Sequence, residues 1–369
     1  MFITTMWFSY DFLYPLQEKP TLNKGHKWRI AYYEGGPYID YQIVFSEMIK
    51  ELMKQGWIEK MKTPKVNEDD FYPFWYWLST TAKSDYLEFP LNAFYSSKWN
   101  SRQRDSNVVD LIYTRLIHLN DIDIIVGLGT QEGQDLMTKD NRMPTMIVTA
   151  SDLIKAKLLK DENDHTYKNV HATVTLKHYE KQIDVFHSSL NFKKMGIFYE
   201  NNTHGISYSG VDVVLKKSKE LGFSVETCFT KDETTNSQSE REESVLHCVN
   251  ELIAKGVDAL YIVTQSGVNQ KTISAISKSL IDHKIVSFSQ QGVDEVKSGF
   301  LMSSAGNLKL SGKYEANVFS KILNGVPIES ISQVFNDPTF IAINLSTMKK
   351  LGIKFSPKIR GATEVFFYE

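Results

Sequence analysis

Short apolar runs that end in small polar residues alternate with amphipathic segments along most of the chain. "IDIIVGLG" and "PTMIVTAS" are such runs in the first half, and "KKMGIFYE" and "VDALYIVT" in the second. The segments between them carry apolar residues at helical spacing. Parallel strands need crossover connections, and helices bury both faces of a parallel sheet. The alternation therefore predicts an α/β fold with two Rossmann-like lobes, each built on a parallel sheet.

The length of the chain also favours two domains, because 369 residues exceed what one core usually serves. A polar stretch that includes "KDENDHTYKN" interrupts the alternation between Asp152 and Lys194. We place the boundary between the lobes there. The sequence has 42 Lys and Arg against 44 Asp and Glu, and this balance gives no reason to expect a nucleic-acid partner.

Sequence signatures of catalysis are absent. The chain contains neither a G-x-S-x-G elbow nor a Walker A sequence. The spacing of His165, His171, His178 and His187 does not place two of them on one helical face at i and i+4, so we predict no metal site. We expect no enzymatic activity and no cofactor.

A glycine motif at Gly127, Gly129 and Gly133 is the one feature that suggests a nucleotide. It follows an apolar run, and Asp152 closes the next run at about the spacing of a ribose-binding acid. However, the motif reads G-x-G-x-x-x-G, and it follows a late strand of its half. An NAD-dependent enzyme that uses Gly127–Gly133 therefore stays an alternative.

The two cysteines, Cys228 and Cys248, can form at most one disulfide. The burial habits of free cysteine favour two unpaired apolar residues. The N-terminal segment 1–27 begins with an apolar, aromatic stretch that lacks a basic region and a cleavage site, so it is a poor signal peptide. No cysteine follows it that could carry a lipid anchor.

The segment Asp69–Trp99 breaks the rhythm because it is dense in aromatic residues. Phe71, Phe74, Trp75 and Leu78 fall on one helical face. This stripe predicts a short helix that packs onto the first lobe. The alternative is an exposed aromatic patch that meets a ligand or a partner protein.

The order of these motifs resembles the ABC-transporter substrate-binding proteins of the tryptophan- and tyrosine-binding type, which have the type I periplasmic-binding fold. The resemblance covers roughly Trp28–Phe366 and includes "IDIIVGLGTQEGQDL" and the following "MPTMIVTASDLIKAKL". It implies two lobes that are joined by a multi-strand hinge. The implied ranges are 28–150 and 303–332 for lobe 1, and 151–302 and 333–369 for lobe 2.

In this family the strand tips of both lobes hold a small ligand in the cleft between them. Lobe 1 would present Glu34, Gly35, Gly129, Thr130, Thr149 and Ser151, and lobe 2 would present Tyr199, Asn201, Ser207, Thr264, Gln265 and Gln290. Thr130 and Ser151 would donate hydrogen bonds to a carboxylate. The resemblance implies a monomeric, periplasmic or otherwise extracytoplasmic protein that delivers an amino-acid-like molecule or an aromatic carboxylate to ABC permease subunits. A ligand sensor that reports to a signalling partner is an alternative use of the same cleft.

Three tips depart from the family pattern. Where the family has acidic or Asn-containing tips, this chain has Thr264-Gln265-Ser266, Ser289-Gln290-Gln291 and Ile206-Ser207. Two carboxylates that could pair with a ligand ammonium are thus replaced by amides, and a buried ammonium without a charged partner is costly. We therefore expect a ligand other than a plain α-amino acid, unless Glu34, Asp152 or Glu200 supplies the charge.

Overall fold

A computed structural model describes residues 19–67, 70–99, 107–232, 235–336, 339–361 and 363–367. Most of the predicted N-terminal segment, residues 1–18, lies outside this range, as does Asp69 of the aromatic segment. No helix in the described ranges is both long and apolar enough to cross a membrane.

The first lobe contains a parallel sheet of six strands in the order β2-β1-β4-β5-β6, with β3 also paired to β1. All five residues of β4 are buried, as expected for a strand that is covered on both faces. The strands are β1 (Trp28–Glu34), β2 (Leu87–Glu88), β3 (Phe94–Ser96), β4 (Ile124–Leu128), β5 (Thr145–Val148) and β6 (Val170–Ala172).

The second lobe contains a sheet of seven strands in the order β13-β12-β11-β10-β9-β7-β8. Its pairs are parallel except for β11 with β12. The strands are β7 (Lys194–Glu200), β8 (Ser224–Thr230), β9 (Ala259–Ile262), β10 (Val286–Ser289), β11 (Met302–Ala305), β12 (Phe340–Asn344) and β13 (Thr363–Phe367). The predicted two-lobe α/β fold is confirmed.

Helices cover both sheets, and the predicted amphipathic segments are among them. They are α1 (Ile39–Lys54), α2 (Tyr72–Thr80), α3 (Val109–Thr114), α4 (Thr130–Leu136), α5 (His178–Leu190), α6 (Thr203–Ser209), α7 (Val211–Leu221), α8 (Gln238–Ala254), α9 (Gln270–Asp282), α10 (Val293–Lys297), α11 (Leu308–Leu323), α12 (Leu345–Leu351) and α13 (Pro357–Gly361). The short elements β6 and α6 were not predicted from the sequence. Helices α1 and α11 pack against each other, and Gly312 of α11 lies against the backbone of Val44.

The chain changes lobe later than the predicted residue 150. Strand β6 pairs with β5, and Leu153 and Leu159 of the preceding polar stretch are buried in the core of lobe 1. Strand β11 belongs to the second sheet, so the second change follows residue 305 rather than 302. Near the two points where the chain changes lobe, Val174 and Val334 form a parallel bridge. The polar composition of residues 152–169 reflects a surface excursion of lobe 1 and not a linker.

The aromatic segment forms part of lobe 1. Phe71, Phe74, Trp75 and Leu78 are each 2% exposed or less, so the predicted short packed helix is confirmed. The same segment also supplies β2 and β3 to the sheet. The C-terminal end of the segment is not buried in this way, because Trp99 is 48% exposed.

Cys228 and Cys248 form a disulfide between β8 and α8, which corrects the prediction of two unpaired residues. Both are buried, as predicted. Packing of α8 on β8 brings their Cα atoms to 5.5 Å, a distance that a disulfide spans without backbone movement. A separation of 20 residues gives no local signal for such a contact.

Candidate ligand-binding cleft

The predicted lobe 1 residues lie together because three neighbouring parallel strands end at one edge of the sheet. Glu34 at the end of β1 pairs with Leu128 of β4, which in turn pairs with Val148 of β5. Glu34, Gly35, Gly129, Thr130, Thr149 and Ser151 therefore follow adjacent strand tips. In open α/β sheets this edge is where ligands bind.

Gly129 has a backbone conformation that favours glycine, with φ 116° and ψ 174°. A side chain there would also collide with Glu132, whose Oε2 lies 2.5 Å from the position of an added Cβ. Glu132 Oε1 lies 2.8 Å from the corresponding position at Gly35. The Glu132 carboxylate thus reaches the tips of two strands, although only 1% of this residue is exposed. No sequence pattern singles out Glu132, which lies among the glycines of the motif.

Several hydrogen-bond donors at the strand tips of lobe 1 are used within the lobe. The Gly129 amide donates to the Val148 carbonyl (2.9 Å), and the Ser151 amide donates to Thr130 Oγ1 (3.2 Å). The Thr149 hydroxyl donates to the carbonyl of Val148 (2.6 Å). The first two bonds tie the tips of β4 and β5 together, so these two amides are not available to an anion.

Glu34 is buried at the end of β1. The Tyr32 hydroxyl donates to its Oε2 at 2.7 Å, and the Ser96 hydroxyl also favours its ionised form. Burial outweighs both bonds and raises the pKa of Glu34 to about 7. A carboxyl in this state changes its charge near neutral pH.

In lobe 2 the two glutamines serve the scaffold. Gln290 Oε1 accepts from the Thr264 amide (2.7 Å), and its Nε2 donates to the carbonyls of Tyr208 and Ser209 (both 3.1 Å). Gln265 Oε1 accepts from the Thr230 hydroxyl at 2.9 Å. The amides that replace the family's carboxylates therefore hold the lobe 2 tips in place.

The other predicted residues of lobe 2 differ in exposure. Asn201 is exposed, Ser207 and Thr264 are half-buried, and Tyr199 is buried with its ring against Phe229. The cap of α6 is Asn202, whose side chain accepts from the Gly205 amide, and not its neighbour Asn201. Contact of these residues with a ligand stays a prediction.

Acidic groups of the two lobes are close enough where α1 begins for their charges to affect one another. Asp40 lies in the first turn of α1, and Asp294 and Glu295 lie in the first turn of α10 on lobe 2. Burial, reinforced by the charge of Asp294, raises the pKa of Asp40 to about 7. Burial also raises the pKa of Glu295 to about 8, although the Ser289 hydroxyl donates to this carboxyl at 2.6 Å.

A basic residue joins the lobes at another point. Lys155, which follows β5, forms an ion pair of 2.6 Å with Asp212 of α7. Its ammonium also lies 4.9 Å from the centre of the Tyr179 ring on α5. This pair is an electrostatic connection between the lobes.

The Trp99 ring covers the loop that follows β1. Its backbone amide donates to the Gly35 carbonyl (2.7 Å), and its indole donates to the Pro37 carbonyl (3.3 Å). A Cβ added at Gly36 would lie 2.6 Å from the indole, so the ring rests directly on the glycine backbone. The sequence suggested an aromatic patch in this segment but did not single out Trp99.

The glycine motif has a structural explanation that does not involve a nucleotide. Gly127 lies inside β4, and Gly133 lies inside α4 against Leu153 and Leu158. The Asp152 carboxylate accepts from the backbone amides of Ile154 and Lys155, so it caps a turn.

His171 serves the structure as well. Burial lowers the pKa of His171 to about 4, and its Nε2 lies 3.1 Å from the Ser332 carbonyl. Among the described residues, no group of three or more His, Cys, Asp and Glu side chains could hold a metal ion.

A family profile described as ABC transporter substrate binding protein matches residues 93–365, which is most of the chain. The chain belongs to the ABC transporter substrate-binding protein family. No curated protein sequence matches it. Proteins of this family bind small-molecule ligands and interact with ABC permeases.

Solved structures share the fold of this substrate-binding protein. An ABC domain from Streptococcus pneumonia in complex with L-Trp has a TM-score of 0.65 and 18% identity, over 92% of this chain and 100% of that one. The ligand-free, open structure of a substrate-binding protein with adhesive properties from Clostridium difficile has a TM-score of 0.62 and 18% identity, over 93% and 100%. A conserved domain protein from Vibrio cholerae has a TM-score of 0.64 and 15% identity, over 92% and 99%. At these identities the likeness concerns the fold alone.

Proposed function

We propose that this protein captures a small polar organic molecule between its lobes and delivers it to the permease of an ABC importer. The observation that carries this proposal is the meeting of the two lobes beside their strand tips, where Lys155 of lobe 1 forms an ion pair of 2.6 Å with Asp212 of lobe 2. Membership of the substrate-binding protein family supports it. No observation favours the sensing or dehydrogenase alternatives.

Hinge closure is the proposed mechanism. Contacts to both lobes exist together only in the closed state, so a ligand shifts the open–closed equilibrium by its difference in affinity for the two states. A micromolar ligand supplies about 8 kcal/mol of binding free energy, which is ample for lobes that differ by a few kcal/mol. The closed form would then be the one that the permease recognises.

An extracytoplasmic location is part of the proposal. The family is extracytoplasmic, and the Cys228–Cys248 disulfide is typical of proteins that fold in an oxidising compartment. The expected oligomeric state is a monomer.

The predicted ligand was an amino-acid-like molecule or an aromatic carboxylate. The bound L-Trp of the Streptococcus pneumonia structure supports an amino-acid-like ligand. The Gly129 and Ser151 amides are used within lobe 1, so a ligand carboxylate at those tips would bind the hydroxyls of Thr130 and Ser151 instead.

Native mass spectrometry of freshly purified protein, followed by small-angle scattering with and without the released ligand, tests the proposal. We expect a bound small molecule whose removal enlarges the radius of gyration and whose return reduces it. If neither a co-purified molecule nor any compound from a metabolite pool makes the particle more compact, capture by closure is wrong.

A further inference from the structure

Trp99 lies at the carboxyl edge of the first sheet, the edge where open α/β sheets bind ligands. It follows β3, which pairs with β1, and β1 runs directly into Gly35 and Gly36. A Cβ added at Gly35 would lie 3.1 Å from Cζ3 of the indole and 2.8 Å from Oε1 of Glu132 on α4. The indole therefore reaches across the tip of β1 toward the beginning of α4.

The indole lies flat on the backbone of Gly36. A Cβ added at Gly36 would be 2.6 Å from each of the indole atoms Cδ1, Nε1 and Cε2. A point at equal distance from three atoms of a five-membered ring lies on the axis through the centre of that ring, so Gly36 meets the face of the indole and not its edge. The backbone of Gly36 is outside the left-handed region, so contact with the ring, rather than backbone conformation, accounts for the glycine.

Hydrogen bonds hold the ring in this position although the backbone that carries it is strained. Lys98 and Trp99 have φ values of 50° and 60°, a left-handed conformation that is costly for residues other than glycine. The Trp99 amide donates to the Gly35 carbonyl at 2.7 Å, and the indole donates to the Pro37 carbonyl at 3.3 Å. The Ser97 hydroxyl donates to the same Gly35 carbonyl at 2.6 Å. The loop after β3 is thus tied to the loop after β1.

The opposite face of the indole is open. Trp99 is 48% exposed, and because one face rests on Gly36, the exposed part includes the other face. The other tryptophans in the described ranges are buried or half-buried. A second aromatic ring gains both buried apolar area and favourable stacking on such a face. Since the indole is already fixed, little conformational freedom is lost when a ligand binds to it.

We propose that Trp99 is a stacking platform in the cleft and that it selects ligands with an aromatic or heteroaromatic ring. This inference rests on the proposed function, since it concerns the ligand of the same cleft. The ring of the ligand would stack on the open face of the indole, while Gly36 supports the opposite face. Trp99 would then determine specificity for the ring and leave the charged group of the ligand to other residues.

Compounds with and without a ring test the selection by titration calorimetry. L-Tryptophan, tryptamine and indole-3-acetate carry the same ring on different charged groups, and L-leucine, hexylamine and hexanoate carry the corresponding charged groups without a ring. We expect at least one indole compound to bind, about tenfold or more tighter than its counterpart without a ring. The inference is overturned if no indole compound binds, or if the counterpart binds as tightly.

Variants of Trp99 locate the effect. Trp99→Ala should weaken binding of the indole compound by about tenfold or more, whereas Trp99→Phe keeps a ring and should cost less than about fivefold. The matched control is Tyr76→Ala, which removes a ring that is 51% exposed on α2 and should leave the affinity unchanged. If Trp99→Ala also leaves the affinity unchanged, the exposed ring serves another contact, such as one with the permease, and the inference is wrong.

Gly36→Ala tests the position of the ring while Trp99 is retained. The added methyl group would displace the indole, so this variant should also weaken binding of the indole compound. If both changes act through the position of the ring, the double variant should bind no more weakly than Trp99→Ala alone, because the two effects are then not additive. Additive losses in variants that circular dichroism shows to be folded would contradict the inference.

Small-angle scattering separates this inference from the proposed function. If a compound without a ring compacts the particle and no indole compound does, capture by closure stands and only the selection of a ring is wrong. If no probe and no co-purified molecule compacts the particle, both proposals fail.

Discussion

Replacement of Glu315 by Gln tests how much a buried carboxyl in lobe 1 destabilises the fold. Glu315 lies on α11 with none of its surface exposed, and among the described residues neither carboxyl oxygen has a well-aligned hydrogen bond. The nearby Thr173 hydroxyl favours the ionised form of Glu315, but burial disfavours that form more strongly. Burial raises the pKa of Glu315 to about 8.

The sign of the pH dependence follows from this shift. Because the folded-state pKa lies above the value of about 4.3 in an unfolded chain, the unfolded state loses its proton first as the pH rises. The stability that the protonated carboxyl contributes is complete below the unfolded-state pKa of about 4.3 and is lost as the pH approaches the folded-state pKa of about 8. A shift of this size lowers the free energy of unfolding by about 4 kcal/mol between roughly pH 5 and pH 9. Glutamine does not titrate, so the variant should escape this loss.

Tryptophan fluorescence during urea unfolding measures the effect in the correct lobe. All six tryptophans precede residue 100, so those within the described ranges report on lobe 1, where α11 also packs. We expect the difference in free energy of unfolding between Glu315→Gln and wild type to grow by about 4 kcal/mol over that pH range. The control Glu329→Gln changes an exposed residue and should follow the wild-type curve. Parallel curves for wild type and Glu315→Gln would refute the reasoning.

Three further predictions concern the second lobe, the connection between the lobes and the cleft. Replacing Cys228 and Cys248 by Ser removes a cross-link between residues 20 positions apart and should lower the free energy of unfolding by about 3 kcal/mol. Circular dichroism during urea unfolding measures this change, and an unchanged midpoint would contradict a stabilising disulfide. Lys155→Met removes a partly exposed ion pair between the lobes and should weaken ligand binding by about twofold to fivefold in calorimetry, whereas tighter binding would show that the pair opposes closure. Because the pKa of Asp40 is about 7 and that of Glu295 about 8, both carboxyls become charged as the pH rises through these values, and their repulsion should favour the open state; scattering should then give a larger radius of gyration at pH 9 than at pH 6, and an equal radius would contradict the approach of these two groups.

Much of the architecture could be predicted because it depends on local pattern. Buried parallel strands read as short apolar runs, and the small polar residues after them identified the tips of β1, β4 and β5. The stripe at Phe71, Phe74, Trp75 and Leu78 predicted a helix packed on lobe 1, and burial confirms it. In each case the period of the sequence equals the period of the element, so neighbours along the chain suffice.

What the sequence could not decide depends on residues that are distant along the chain. The disulfide, the place of β6 in the first sheet and the use of Gln290 to hold Thr264 each require knowledge of which elements pack together. The approach of Asp40 on lobe 1 to Glu295 on lobe 2 is of the same kind, because no sequence motif links these residues. By itself the sequence determined two lobes with polar strand tips. The tertiary structure decided which tip groups are used internally and which charges face the cleft, because hydrogen bonding and burial are settled only when the elements meet.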